Sequence, residues 1–195
     1  MKKRIILGVV GLVFGLVSMC FAATNIRIAA TIGETHQMNV ALSRMAGVGA
    51  TPAPVTDLAG AGMDFGTLTS SGGNFTTPTF FYIDAPVVSN KTGWTITHTA
   101  TDFANSAGNN LNLNTNVTFM KAVTGGETPL ANSYISYNTA KTRAPITQSE
   151  LTGGWLRIYY GLANGGTSDA PGVSIITTAQ PTGSYVGTVI LTLSP

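Results

Sequence analysis

Two histidines, His36 and His98, and eight scattered carboxylates are the residues on which acid–base chemistry could be built. A hydrolase needs a nucleophile, a base and an orienting acid brought within reach of one another. Neither histidine lies in a recognised catalytic motif: His36 follows a predicted turn, and His98 follows Trp94 and Ile96 along one strand face. Both read as ordinary strand histidines. Glu34, Asp57, Asp64, Asp84, Asp102, Glu127, Glu150 and Asp169 stand singly, and no spacing selects the facing pair that glycoside hydrolysis requires. No His-x-x-x-His or cysteine pair offers a zinc site. Asp102, Asn105, Asn109 and Asn110 carry oxygens that suit calcium, but their spacing is not that of a helix-loop-helix site, and a hydrogen-bonded turn is expected instead. The glycines at 60, 62 and 66 and those from 161 to 166 miss any phosphate-binding spacing and read as turns. The chain is therefore expected to be no enzyme, with no metal and no cofactor.

The aromatic residues offer a different chemistry, that of stacking. Alternation along 155–160 puts Trp155, Arg157 and Tyr159 on one face of a strand and Leu156, Ile158 and Tyr160 on the other. The Leu156 face is expected in the core. Trp155, Arg157 and Tyr159 then form an outward patch suited to a glycan or another protein. Trp94 is a further candidate for wall or glycan binding, although aromatic side chains more often fill cores.

The elements that must position these residues are strands. Period-2 alternation recurs, and long helical periodicity does not. Ile26, Ile28, Ala30 and Ile32 share one face of a first extended stretch, and Met38, Val40 and Leu42 one face of the next. Residues 47–62, with Pro52 and Pro54, read as a loop. Short strands are expected at 63–68 and 79–83, another from Trp94 through Ile96 and His98, a long turn or loop over 105–116, and a strand at 117–123. A short strand at 134–137, a helical turn near 147–151 and a weak strand at 173–177 follow. The final stretch, 184–193, carries apolar residues on both faces, as a central or doubly covered strand would. Many short strands with turn-rich spacers predict an all-β fold, a single antiparallel β-sandwich of immunoglobulin or pilin type.

The N-terminus sets the compartment. Lys2, Lys3 and Arg4 precede an unbroken apolar run over residues 5–17, and Cys20 and Ala22 occupy the −3 and −1 positions for cleavage after Ala22. The run is shorter than the ~20 apolar residues of a membrane span. Residues 1–22 are thus expected to be a secretory signal and 23–195 a single exported domain without a membrane span. The only cysteine, Cys20, leaves with the signal, so the mature chain is neither a disulfide scaffold nor a thiol enzyme. Of ten Lys and Arg, seven remain after cleavage against eight acidic residues, which leaves no basic stripe for nucleic acid. Polar surface comes instead largely from 29 threonines and 13 asparagines, which favour strands and turns respectively. So few charges suit a surface that packs against its own kind.

The block Val87-Val88-Ser89-Asn90-Lys91-Thr92-Gly93-Trp94-Thr95-Ile96 resembles the first signature of bacterial WxL-domain surface proteins. The likeness continues through Thr101-Asp102-Phe103 and Leu111 into Val117-Thr118-Phe119, with Met63-Asp64-Phe65-Gly66 similar to that family's early strand. The ending from Tyr185 to Pro195 is similar to its C-terminal signature. Ile96 stands where the first motif has leucine, and Leu191 where the second has tryptophan. This resemblance implies noncovalent association with peptidoglycan at a cell surface. The terminal alternating strand after a Tyr-x-Gly turn also resembles chaperone-assisted pilin subunits. That resemblance implies donation of an N-terminal strand, here Ile26, Ile28, Ala30 and Ile32, to a neighbouring copy; pairing of the same segment within its own sheet is the expectation favoured over donation, because alternation marks a half-buried strand of either kind. The expected function is that of an extracellular or cell-surface structural protein, WxL-like and wall-associated. A self-assembling pilin or filament subunit is the alternative. The expected partners are peptidoglycan or another surface glycan, and the chain itself.

Overall fold

The computed structural model describes residues 34–58 and 62–195. The expected signal at 1–22 and the alternating residues Ile26, Ile28, Ala30 and Ile32 lie outside the described residues.

Alternation builds the main sheet. β1 (His36–Met38), β2 (Ala41–Met45) and β3 (Ala53–Val55) come first, and the short β4 (Ser70–Ser71) and β5 (Asn74–Phe75) follow. Next come β6 (Phe80–Ala85), β7 (Val87–Ser89), β8 (Thr95–Ala100), β9 (Thr115–Val123) and β10 (Gly126–Ser136). One helical turn, α1 (Tyr137–Ala140), precedes β11 (Ile146–Thr147), β12 (Trp155–Leu162), β13 (Ile176–Thr177) and β14 (Val189–Ser194). Six strands form one antiparallel sheet in the order β10-β9-β12-β6-β2-β3. Its inner face carries Phe81, Ile83, Val117, Phe119, Leu156, Ile158 and Tyr160, all buried. A second sheet, β11-β8-β14, supplies Ile96 and Ile146 to the same core, with Val189, Leu191 and Leu193 packed against it. The fold is therefore all-β and antiparallel, two sheets enclosing a shared apolar layer as in sandwiches. Two smaller sheets, β1-β7 and β13-β5-β4, complete it.

β1 and β2 run against β7 and β6 in one uninterrupted register, from His36 opposite Ser89 to Met45 opposite Phe80. The ribbon breaks only at Pro86. Its carbonyl accepts from the Asn39 N–H at 3.0 Å, but proline has no N–H to return.

Four expectations change. The loop over 47–62 contains β3, which pairs with β2. The strand expected at 63–68 is absent: Asp64 Oδ1 accepts from the Gly66 N–H at 2.7 Å, and Gly66 has φ 72°, a local turn that ends extension. The short strand at 134–137 is the tail of the longer β10, and Tyr137 already opens α1. The last stretch is not doubly covered. β14 spans only Val189–Ser194 and, among the described residues, lies at the edge of its sheet, and Ile190 is 52% exposed. Among the described residues this sheet packs on one side only, which leaves Ile190 and Val186 exposed.

The loop over 105–116 is held by its own asparagines, as expected: Asn105 Oδ1 accepts from the Ala107 and Asn109 N–H groups at 3.1 and 3.0 Å. Asp102 pairs with Lys141 and with the Asn112 amide. The expected helical turn near 147–151 is a 3-10 turn, Gln148–Leu151, in which Glu150 accepts from the Thr147 N–H at 2.8 Å. Among the described residues no helix is long and apolar enough to cross a membrane.

Candidate functional site

The side of the six-stranded sheet turned away from the core carries Trp155, Arg157 and Tyr159 together, each half-buried. Strand register shows what stands beside them. Arg157 lies opposite Asp84, and Tyr159 opposite Tyr82. Tyr159 also lies opposite Thr118, which in turn faces Tyr134 on β10. The β12–β9 pair is drawn close at its start by Gly154, where any Cβ would collide with the Ala122 carbonyl oxygen.

One guanidinium organises this face. Arg157 Nε donates to Asp84 Oδ1 at 2.7 Å and a terminal nitrogen to Asp84 Oδ2 at 2.6 Å, while the other terminal nitrogen reaches Glu127 Oε1 at 2.6 Å. The Trp155 indole N–H donates to Asp84 Oδ1 at 2.8 Å, and the Tyr159 hydroxyl donates to Glu127 Oε1 at 2.7 Å. Arg157 Cζ sits 4.3 Å from the Tyr82 ring centroid, within cation–π reach, and the Tyr82 and Tyr159 rings are 5.5 Å apart. The bond to Asp84 holds the guanidinium still more firmly protonated than usual. Burial, aided by Glu127, pushes the Tyr159 hydroxyl up to about 12. The face is thus a fixed array of ring edges and faces around a neutralised cation, suited to stacking and hydrogen bonding.

Compared with known proteins, the chain matches no family model, no curated protein and no solved structure.

Trp94 belongs elsewhere. It is 8% exposed and part of the core cluster with Ile96, Ile146 and Leu151, so it offers no platform. It is not a wall- or glycan-contacting residue, because its side chain is buried in that cluster; its backbone carbonyl accepts from the Gln148 N–H at 2.9 Å, which ties the start of β8 to the 3-10 turn.

His98 is also core, 1% exposed. Its Nδ1 is 2.7 Å from the Ala140 carbonyl, which can only accept, so Nδ1 carries the proton. Nε2 then accepts from the Tyr160 hydroxyl at 2.9 Å. Burial lowers the pKa of the ring and keeps it neutral. His36 instead meets Ser89 Oγ at 2.9 Å. Among the described residues no three His, Cys, Asp or Glu side chains gather as a metal would require.

Sequence reasoning missed Asp84, Tyr82, Glu127 and Tyr134 as members of this face. Phe80, Tyr82 and Asp84 share the outward face of β6 by the same alternation that selects Trp155, Arg157 and Tyr159, so that signal was present. Glu127 and Tyr134 carried none, because their place depends on how β10 registers against β9.

Proposed function

We propose that the protein is an exported, non-catalytic structural component of the cell envelope that assembles through an open strand edge. The observation that carries this reading is β14. Among the described residues it pairs only with β8, leaving its other edge open. Residues 184–195 contain no Lys, Arg, Asp or Glu, and the only proline is the last residue. Natural proteins usually guard such an edge with charges, proline or a cover, and an unguarded one is a template for another strand. Ile190 and Val186, at 52% and 67% exposed, add apolar side chains beside it. Residues 26, 28, 30 and 32 supply an alternating apolar segment of the kind that completes such an edge, from a neighbouring copy in a filament.

The outward Trp155, Arg157 and Tyr159 favour a second reading, noncovalent attachment to peptidoglycan or another surface glycan, as the WxL-like signatures imply. Both readings need no bond chemistry and place the protein outside the cytoplasm. High-speed sedimentation of the purified protein, with and without bacterial sacculi, followed by electron microscopy, separates them. Regular fibres without sacculi support assembly, and pelleting only with sacculi supports attachment. A chain lacking residues 23–32 that still forms fibres would sink strand donation.

A further inference from the structure

The outer face holds an aromatic row that runs across the strands. Tyr82 on β6, Tyr159 on β12, Thr118 on β9 and Tyr134 on β10 are consecutive register partners on one side of the sheet. Tyr159 and Tyr134 are two strand spacings apart, roughly 10 Å, about the length of a disaccharide repeat in a β-1,4-linked glycan. Placing Tyr134 there takes a deformation of β10. The register shifts between Pro129 and Tyr134, and Asn132 within the shift has φ 50°, a conformation non-glycine residues seldom adopt. Tyr134 emerges 52% exposed, on the same face as the half-buried Tyr159.

The charges beside the row select the ligand. Arg157 is shared by Asp84 and Glu127, so the cluster is one charge negative, and among the described residues Glu127 Oε2 has no protein partner. Lys121 pairs in register with inward-facing Leu156 and does not offset this on the outer face. A carboxylate oxygen beside the exposed Tyr134 and the half-buried Tyr82 and Tyr159 suits hydroxyl groups that donate and C–H faces that stack, whereas a polyanion meets repulsion. The guanidinium and the Tyr159 hydroxyl are already held by hydrogen bonds, and the Tyr82 ring packs against both Arg157 and Tyr159, so at that end of the row little ordering remains to be done on binding.

We infer that the Tyr82–Tyr159–Tyr134 row binds a neutral β-1,4-linked polysaccharide lying across the strands, with Glu127 accepting from its hydroxyls. This deepens the glycan-attachment reading and rests on it.

The test is depletion of the purified protein by insoluble cellulose, by chitin and by sacculi, with a soluble β-1,4-linked hexasaccharide as competitor. Retention on a neutral glycan, released by the hexasaccharide, is expected. Tyr134→Ala should weaken it roughly tenfold, and Tyr134→Phe, which keeps the ring, should bind as the parent does. If Tyr134→Ala fails to fold, competition by the hexasaccharide decides. Retention on sacculi alone overturns this inference while leaving wall attachment standing, and retention on nothing overturns both. Neutral-glycan binding untouched by Tyr134→Ala also overturns it, as does a variant that alters only self-association.

Discussion

Arg157 grips Asp84 with two parallel hydrogen bonds, Nε to Oδ1 at 2.7 Å and a terminal nitrogen to Oδ2 at 2.6 Å, across the seam between β12 and β6. The arginine side chain is only 19% exposed and the two carboxylates it serves 23% and 25%. Removing the cation would leave two half-buried negative charges facing each other without a counterion. Arg157→Ala should therefore cost about 1–3 kcal/mol in urea unfolding, less than a fully buried pair because solvent still screens this one. Arg157→Lys should recover only part of that loss, since an ammonium cannot reproduce the fork.

Trp94→Ala should cost about 3–5 kcal/mol, because it empties a core position. Tyr134→Ala should stay within about 1 kcal/mol, since half of that ring is in solvent. Thermal unfolding of both variants checks this, and equal losses would refute the division between core and face.

Acid should weaken the fold through His98. Its folded pKa lies below the ordinary value of 6.5, mainly through burial, with Arg143 also disfavouring the charged ring. The unfolded chain therefore takes up the proton first. Stability from the neutral ring is complete above about pH 6.5 and is lost as pH falls from there toward the folded pKa. Denaturation midpoints at pH 7.5 and 5.5 should differ more for the parent than for His98→Gln, which is less stable overall but lacks the titration. Equal pH dependence in both would assign the effect to other groups.

A charge on the open edge should stop assembly without harming the fold. Ile190→Lys places a solvated cation at a position already 52% exposed, where the stability change should stay within about 0.5 kcal/mol. Sedimentation should show the loss of any fibres the parent forms, while circular dichroism stays the same. Persisting fibres would move the assembly surface away from β14.

The legible parts of this chain are those decided by local alternation. β12 and β8 follow it residue by residue, because each has one face on the core and one away from it. β10 was legible only in its tail. Its first half, Gly-Glu-Thr-Pro-Leu-Ala-Asn, has no alternation, and Pro129 argues against a strand. It is tolerated because β10 lies at the sheet edge, where a missing N–H need cost no ladder bond. β14 misled in the opposite direction, since Ile190 and Val186 look like a second buried face and are not. Trp94 stands in a stretch that only resembles a surface-protein signature and lies in the core, since a short motif specifies a strand without saying which sheet will cover it. Glu127 reaches Arg157 only through the pairing of β10, β9 and β12, a relationship between segments that no single window contains.

Both nitrogens of the His98 ring are occupied, one by the Ala140 carbonyl and the other by the Tyr160 hydroxyl from the facing sheet. Solvent can trade the Nδ1 proton only when β8 parts from α1 and β12. That one imidazole resonance is thus a built-in clock for the breathing of the two layers, and its exchange rate counts how often they separate.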